Sequence, residues 1–216
     1  LDLASNSGSR VTTLTSGDKI VYDETVPTLP TVDISSNNSN GATFAKVGDV
    51  ITISVSASEN IQTPTVTIAG NAAAIATGSN GERVYTATYT MQSSDNTGVI
   101  PFTVDFSDMA NNAGTQVTAV ANDSDGGVTF DKQAPSFTTV TMSSNNSTST
   151  LAIVNDVITL NLTSDEAIKA GSDPTITVNG NTATVTRNST TSFTATYTMS
   201  SPADDAIDGS SIPINI

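Results

Sequence analysis

The sequence contains no cysteine, no histidine and no tryptophan in 216 residues. The absence of cysteine excludes a disulfide framework, a zinc–thiolate site and a cysteine nucleophile. The absence of histidine excludes a Ser-His-Asp triad and imidazole metal ligands. Basic residues are scarce as well, because 7 lysines and arginines stand against 21 acidic residues and leave a net charge of −14. We therefore expect no nucleic-acid partner, and no apolar run approaches the roughly 18 residues that membrane insertion needs.

Hydrophobic residues make up only 36% of the chain, but they alternate regularly with polar ones. The segments ITISVSA (51–57), YTATYTM (85–91) and IPFTVDF (100–106) place apolar side chains at every second position. A period of two is typical of a β-strand with one buried face, and threonine suits the solvated face. No comparable stretch has the 3.6-residue period of a helix, so the fold class is predicted to be all-β.

The two halves of the chain repeat each other. Three segments recur in the same order: GDVITISVSASENI (48–61) as NDVITLNLTSDEAI (155–168), PTVTIAGNAAAI (64–75) as PTITVNGNTATV (174–185), and YTATYTM (85–91) as FTATYTM (193–199). Pro27 and Pro135 lie 108 positions apart, which fits a seven-stranded β-sandwich of about 100 residues. The repeat therefore predicts tandem β-sandwiches.

Only the first of these sandwiches is complete in sequence. It is predicted to span residues 27–134, with strands near 31–34, 43–46, 50–57, 64–68, 72–76, 84–91, 99–106, 115–121 and 128–131. The second spans residues 135–216 and stops after the segment matching 99–106. The final strands of this domain have no counterpart there.

The missing part matches the other end of the chain, residues 1–26. Asp2, Ala4, Asn6 and Gly8 align with Asp108, Ala110, Asn112 and Gly114, and Tyr22 and Asp23 align with Phe130 and Asp131. In this alignment Ile212, Ile214 and Ile216 match Phe102, Val104 and Phe106, so Leu1 follows Ile216 without gap or overlap. We expect residues 1–26 to supply the C-terminal strands of this split domain in a neighbouring copy, because half a sandwich leaves its core open. The residues expected at this junction are Ile212, Ile214, Ile216, Leu3, Val11, Ile20 and Tyr22.

Such head-to-tail completion generates open filaments, and two versions of it are consistent with the sequence. The 216 residues are one period of a longer covalent array, or they are a separate subunit whose N-terminal strands insert into the next, as in donor-strand complementation. A third interpretation is an arbitrary chain boundary without meaning for assembly.

The motifs GD-ITI, PTVTI-G, YTATYTM, IPFTVDFSDMANNAG and VTFDKQAP resemble the tandem bacterial Ig-like repeats of large secreted surface proteins. The resemblance implies Ig-like β-sandwiches, one intact and one split between the chain ends, in an adhesin stalk or extracellular fibre at the cell surface. It implies a structural role and no enzyme. Carboxylate pairs such as Asp165-Glu166 agree with this, since no aromatic sugar platform flanks them.

The resemblance also implies that Ca²⁺ can bind at domain junctions, although no cofactor is required. Ca²⁺ takes six to eight oxygen ligands, so carboxylates that recur in both repeats are the candidates. The alternative is that these side chains accept hydrogen bonds from local backbone in turns and need no metal. The candidate ligands are Asp131, Asp23, Asp49, Asp156, Glu59, Glu166, Asp108 and Asp2.

The sequence permits two surface features, N-glycosylation and ligand binding, without deciding whether either occurs. The first is N-glycosylation, which Asn-x-Ser/Thr motifs permit. The candidate sites are Asn122, Asn145, Asn146, Asn161 and Asn188. The second is the threonine rows of 85–91 and 193–199, which raise the alternative of a ligand-binding adhesin module for a glycan or another surface. Ordinary solvent-facing threonine explains the same rows.

Overall fold

The computed structural model of the chain describes residues 2–10, 12–13, 17, 20–121, 126–200 and 211–216. These residues form seventeen β-strands and no helix, which confirms the all-β prediction. Consequently no helix able to cross a membrane occurs in these ranges. The chain divides into two compact units, Leu1–Lys132 (unit 1) and Gln133–Ile216 (unit 2).

Unit 1 contains ten strands, several of them very short. They are β1 (Thr31–Ser36), β2 (Phe44–Ala45), β3 (Val50–Ile61), β4 (Thr65–Ile68), β5 (Asn71–Ala72), β6 (Ala74–Thr77), β7 (Glu82–Thr90), β8 (Gly98–Val99), β9 (Phe102–Asp105) and β10 (Thr129–Phe130). They form a four-stranded sheet β1-β3-β7-β6 and two three-stranded sheets, β5-β4-β9 and β2-β10-β8.

Alternation along the strands builds the core of unit 1. On β3, Ile51, Ile53 and Val55 are buried, whereas the serines and threonines between them are half-buried. The same hydrophobic cluster includes Val66 and Val104 from the sheet that contains β4 and β9. The core therefore lies between the four-stranded sheet and the shorter sheets, which is consistent with a β-sandwich.

One predicted strand of unit 1 is absent. Residues 115–121 make only two isolated bridges, Val117 with Val104 and Ala121 with Val32. In their sequence, TQVTAVA, apolar and polar residues alternate over only a few positions. The two single bridges satisfy the few backbone groups that face the neighbouring strands β9 and β1. The prediction of a continuous strand there was wrong, although the segment does lie against the core as expected.

Unit 2 contains seven strands in the described residues. They are β11 (Phe137–Ser144), β12 (Val157–Ser164), β13 (Thr177–Val178), β14 (Asn181–Thr182), β15 (Thr184–Arg187), β16 (Ser192–Thr198) and β17 (Ile214–Asn215). They form the sheets β11-β12-β16-β15 and β14-β13-β17. These sheets reproduce β1-β3-β7-β6 and β5-β4-β9 of unit 1, and even the registers agree, since Ile53 pairs with Ala87 as Leu160 pairs with Ala195.

The alignment at the end of the chain was wrong by two residues. Ile214 pairs with Val178 in the way that Phe102 pairs with Ile68, so Ile214 takes the position of Phe102. By continuation Ile212 matches Ile100, and Ile216 matches Val104. The cause is a longer connection in unit 2, because Met199 and Pro213 lie fourteen positions apart, whereas Met91 and Pro101 lie ten apart. The join of Ile216 to Leu1 is therefore not seamless, and the positions of Asp105 and Phe106 have no counterpart.

Candidate functional site

The sheet β2-β10-β8 of unit 1 has no counterpart among the described strands of unit 2. In unit 1 its central strand β10 lies parallel to β2 and antiparallel to β8. The side chain of Phe130, on β10, and that of the preceding Val128 are fully buried in the core. This strand therefore closes one side of the unit 1 core.

Backbone hydrogen bonds hold β10 in place. The Thr129 N–H donates to the Thr43 carbonyl at 2.8 Å, and the Asp131 N–H donates to the Ala45 carbonyl at 2.9 Å. On the other side the Ile100 N–H donates to the Val128 carbonyl at 2.9 Å. β10 is thus hydrogen-bonded on both sides, to β2 and to the segment that contains β8. These bonds fix which residues of the neighbouring strands lie beside it.

Core positions that β10 and the segment before it help to cover in unit 1 are solvent-exposed in unit 2. Four equivalent pairs show the contrast in exposed fraction: Val32 0% and Val140 38%, Ile34 4% and Met142 45%, Phe102 6% and Ile214 39%, Val104 0% and Ile216 44%. We call Val140, Met142, Ile214 and Ile216 the open face of unit 2. Exposing several adjacent core positions is unfavourable in water, so this face is a candidate for contact with another segment.

A groove lies beside the open face. Its empty volume is about 490 Å³, and it is lined by Met142, Leu151, Ala152, Ile158 and Ile212 together with serine and threonine side chains. Leu151 and Ala152 match Phe44 and Ala45, the two residues of β2 with which β10 pairs in unit 1. The groove therefore occupies the place in unit 2 that β10 fills in unit 1.

The residues predicted at the junction are mostly exposed in the single chain. Leu3, Ile20 and Tyr22 have more than four-fifths of their surface exposed. Ile214 and Ile216 belong to the open face, and Ile212 is half-buried against the unit 2 core. Val11 lies outside the described residues. Both predicted sides of the junction are present as exposed apolar surface, and whether they meet in an assembly stays a prediction.

The loop at Asp2 repeats the geometry of the loop at Asp108. In each, Oδ1 of the aspartate accepts from two backbone N–H groups at 2.8–2.9 Å, those of Ala4 and Asn6 or of Ala110 and Asn112. The asparagine side chain donates to Oδ2 of the aspartate, at 2.9 Å in the first loop and 2.7 Å in the second. Ser5 and Asn111 take the same left-handed conformation, with φ of 64° and 70°. The sequence match between residues 2–8 and 108–114 is therefore also a structural match.

These hydrogen bonds lower the pKa of both aspartates. For Asp2 the bond from the Asn6 side chain is the largest cause, followed by the Asn6 and Ala4 backbone. For Asp108 burial raises the pKa, but the bonds from Asn112 and its neighbours outweigh that effect and leave the pKa lowered. The hydrogen bonds of both turns therefore favour the ionised aspartate.

Three of the predicted metal ligands come together in unit 1. One carboxylate oxygen each from Asp23, Glu59 and Asp108 lies within 4.8 Å of the other two. Asp23 precedes the first strand, Glu59 lies near the end of β3, and Asp108 follows β9. The Asn112 amide, which holds Asp108, also donates to the Asp23 carbonyl at 3.2 Å. Hard oxygen ligands of this kind suit Ca²⁺, so the donor set fits the ion expected from sequence.

The other predicted ligands do not join this cluster. Asp49 and Asp156 recur because each holds a turn. Oδ2 of Asp49 accepts from Asn38 and from the Lys46 N–H, and Oδ2 of Asp156 accepts from Asn146 and from the Ile153 N–H. Among the residues that the structure describes, Asp131, Glu166 and Asp2 do not gather with other acidic side chains into a cluster either. Asp49 and Asp156 therefore recur at equivalent positions because they accept hydrogen bonds in equivalent turns, as the alternative to metal binding expects.

The predicted glycosylation sites have structural roles where they are described. Asn146 donates its amide to Asp156, and Asn145 accepts from the Val157 N–H. Asn161 and Asn188 both contact the Thr194 hydroxyl. Asn122 lies outside the described residues. An N-glycan would attach to the side-chain amide nitrogen, which Asn146 and Asn188 both use as a hydrogen-bond donor, so these two sites are less suitable than Asn145 and Asn161, which use their amide oxygens.

Comparison with family models, with curated proteins and with solved structures gave no match for this chain. The resemblance to bacterial Ig-like repeats therefore remains an expectation from the motifs themselves.

Sequence reasoning found Ile212, Ile214 and Ile216 on the acceptor side of the junction but missed the rest of that side. Val140, Met142, Leu151, Ala152 and Ile158 were not among the expected residues. The available signal was the repeat itself, since these positions align with buried or strand-pairing residues of unit 1. The polar stretch SSNNSTST between β11 and Leu151 made that alignment hard to recognise.

Proposed function

We propose that the protein is a structural repeat unit of an extracellular filament or adhesin stalk whose copies join head to tail. In this proposal both domains are Ig-like β-sandwiches, and unit 2 is the split one. The proposal is supported by two observations: unit 2 has an open face, and Ile20 and Tyr22, which match the strand closing unit 1, are exposed. The work is mechanical and requires no catalysis.

Head-to-tail contact follows from the position of the two surfaces in the sequence. The donor residues lie in unit 1 before its first strand, whereas the acceptor groove belongs to unit 2, so the contact joins two different patches. A heterologous contact of this type generates an open chain of subunits unless the rotation closes a ring. The extracellular part of the proposal is supported by the motif resemblance and by the strongly acidic composition.

The acidic cluster of Asp23, Glu59 and Asp108 is proposed to hold Ca²⁺ at the entry to unit 1. The cluster joins the segment before the first strand to loops of the sandwich, so a bound ion would restrain the linker between successive domains. This role is secondary, because the proposed joining of copies depends on apolar contact and strand pairing.

The mass of the denatured chain isolated from its natural source separates the two versions of the proposal. Separate subunits give the mass of one 216-residue chain, whereas a covalent array gives a mass many times larger. Electron microscopy of the purified chain at rising concentration tests the function itself. We expect unbranched linear particles that lengthen with concentration, and compact particles at every concentration would contradict the proposal.

A ligand-binding adhesin module is the second candidate. On the outer face of the unit 2 sheet, Ser143, Thr159, Thr196 and Thr184 lie side by side across all four strands. Such a row of hydroxyl groups could bind a glycan or a hydrated surface. Binding of the purified chain to a glycan array, lost on replacing Thr159 and Thr196 by lysine, would favour this candidate over a purely structural role.

A further inference from the structure

We propose that residues Ile20–Asp23 of a second copy form the strand missing from unit 2, parallel to Leu151–Ala152, with the side chains of Ile20 and Tyr22 inside the groove. This inference rests on the proposed function and specifies which residues of the two copies pair at the junction. Val21 and Asp23 face away from the core in this arrangement.

Unit 1 supplies the template for this register. Ile20, Val21, Tyr22 and Asp23 align with residues 128–131, with 108 positions between each pair. In unit 1, Thr129 pairs with Phe44 and Phe130 with Ala45. Because Leu151 and Ala152 take the positions of Phe44 and Ala45, the template places Val21 beside Leu151 and Tyr22 beside Ala152.

The template also specifies three backbone hydrogen bonds. The Val21 N–H would donate to the Thr150 carbonyl, and the Asp23 N–H would donate to the Ala152 carbonyl, as Thr129 and Asp131 do in unit 1. The Ile212 N–H would donate to the Ile20 carbonyl. Three bonds in a fixed register add directional specificity to an otherwise apolar contact.

The side chains of the donor segment suit the groove. Ile20 and Tyr22 replace the buried Val128 and Phe130, so each inward position stays large and apolar. The difference between Tyr22 and Phe130 is one hydroxyl group. Ser149 lines the groove at the position that Ala42 takes in unit 1, because Ser144 bonds to its carbonyl as Ser36 bonds to that of Ala42.

The donor segment is available for this contact in the single chain. Ile20, Val21 and Tyr22 all have more than four-fifths of their surface exposed. Tyr22 touches only a local partner there, because its hydroxyl donates to the Glu24 carboxylate two residues away. Docking therefore transfers three exposed side chains to a strand position without breaking a core contact of unit 1.

Complementary variants of the full chain test the identity of the two surfaces. The donor variant carries Ile20→Asp and Tyr22→Asp, and the acceptor variant carries Met142→Asp and Leu151→Asp. All four positions are exposed in the single chain, so both variants should fold. By sedimentation, each variant alone should stay monomeric at concentrations where the natural chain assembles. An equal mixture should form a 1:1 dimer and nothing larger, because only one intact donor and one intact groove remain.

The matched control is Phe44→Asp, which changes the unit 1 residue equivalent to Leu151. Phe44 is exposed and its neighbour β10 is already in place, so this variant should assemble like the natural chain. Continued assembly of the donor or acceptor variant alone would overturn the inference. So would a mixture that remains monomeric.

Cysteine pairs test the register, since the natural chain contains no cysteine. A mixture of Val21→Cys and Leu151→Cys chains should give a disulfide-linked dimer on oxidation. A mixture of Val21→Cys and Ile153→Cys chains should link at least tenfold less. A shift of two positions along the strand (~6.6 Å) combines with the spacing of ~4.8 Å between strands, so the two Cα atoms lie about 8 Å apart, beyond the limit of about 7 Å that a disulfide tolerates. Equal linking at Ile153 would overturn the proposed register.

The outcomes separate this inference from the proposed function. If the natural chain stays monomeric at every concentration, head-to-tail assembly fails and the inference fails with it. If the natural chain assembles but the donor and acceptor variants assemble equally well, only the inference fails. A chain carrying both Val21→Cys and Leu151→Cys that closes a disulfide within one monomer would show insertion into the same chain and would also overturn it.

Discussion

Val140 occupies the same place in unit 2 that Val32 occupies in unit 1, yet Val32 is fully buried and Val140 has 38% of its surface exposed. The two residues have the same register, since Val32 pairs with Val55 and Val140 with Leu162. The difference is the neighbour on the other side. Ala121 donates its N–H to the Val32 carbonyl at 2.9 Å, whereas β12 is the only described strand that pairs with β11.

The contrast between Val32 and Val140 allows unit 1 to be compared directly with unit 2. One sequence pattern appears twice, and among the described residues the strand β10 and the segment before it have a packed counterpart only in unit 1. The edge of β11 and the open face beside it show the surfaces that those strands cover. An edge strand of eight residues with exposed apolar neighbours is a template for pairing with another chain.

Truncation of the equivalent aromatic residues Phe130 and Tyr22 should change the stability of the monomer to very different extents. Phe130→Ala removes a fully buried ring and should destabilise unit 1 by about 3–5 kcal/mol. Tyr22→Ala removes an exposed ring and should change the stability of the monomer by less than about 0.5 kcal/mol. Denaturant unfolding at low protein concentration measures both effects.

The same Tyr22→Ala change should weaken assembly strongly. If Tyr22 fills the groove, its loss costs about as much as a core aromatic, and the dissociation constant should rise by about 100-fold or more. Sedimentation of Tyr22→Ala beside the natural chain provides the comparison. A dissociation constant within about twofold of the natural one would contradict burial of this ring.

Assembly should strengthen with monovalent salt. Each copy has a net charge of −14, so successive copies repel, and screening reduces that repulsion. Raising sodium chloride from about 20 to 200 mM shortens the Debye length roughly threefold, and we expect the dissociation constant to fall several-fold. Light scattering at fixed protein concentration measures this. Dissociation on adding salt would instead indicate that ion pairs join the copies.

Calcium should stabilise unit 1 through the cluster of Asp23, Glu59 and Asp108. At a Ca²⁺ concentration about 100 times the dissociation constant, the gain is about 2.7 kcal/mol. Asp23→Asn should reduce the rise in melting temperature on adding Ca²⁺. In the presence of a chelator it should not destabilise the fold, because it relieves repulsion among three close carboxylates.

The control for calcium binding is Asp33→Asn, which removes one charge from β1 outside the cluster. This variant should keep the full calcium response. Equal responses of Asp23→Asn and Asp33→Asn would show a general effect of ionic charge, and the absence of any response in the natural chain would exclude the site.

Acid should destabilise unit 2 through Asp156. Hydrogen bonds from the Asn146 side chain and then from the Ile153 N–H hold the pKa of Asp156 below its ordinary value. A lowered pKa in the folded state stabilises the fold above the unfolded value of about 3.9, and this contribution disappears as the pH falls through the lowered pKa. Asp156→Asn should therefore melt below the natural chain at pH 7.

The melting temperatures of Asp156→Asn and the natural chain should converge once the pH has fallen below the lowered pKa of the folded state, because the aspartate is then protonated in both states. Calorimetry across pH 2 to 7 measures the difference. A constant difference over the whole range would mean that the turn depends on shape rather than on the charge of Asp156.

The sequence predicted the strands because their alternation is local. The pattern at 51–57 became β3, and the pattern at 85–91 became β7, each within a few residues of the expected bounds. The turn at Asp2 agrees with the alignment of Asp2 with Asp108, and its hydrogen bonds involve only residues four apart or closer. Strands and turns that depend only on residues close together in the chain can be predicted from a single sequence.

Features set over longer distances could not be read in the same way. The register of Ile214 depends on a connection that is four residues longer in unit 2, and only its pairing with Val178 reveals the shift. Of the candidate metal ligands, Asp23, Glu59 and Asp108 meet because the fold brings distant loops together. Asp49 and Asp156 repeat equally well in sequence but hold turns.

The most direct measurement is hydrogen exchange at the backbone amide of Ile212 as a function of protein concentration. In unit 1 the equivalent Ile100 N–H donates to the Val128 carbonyl at 2.9 Å, so it should be protected at every concentration. The Ile212 N–H should exchange quickly in the monomer and become protected by about 100-fold or more when copies assemble, because it then donates to the Ile20 carbonyl of the second copy. Assembly without any new protection at Ile212 would contradict completion of unit 2 by a second copy.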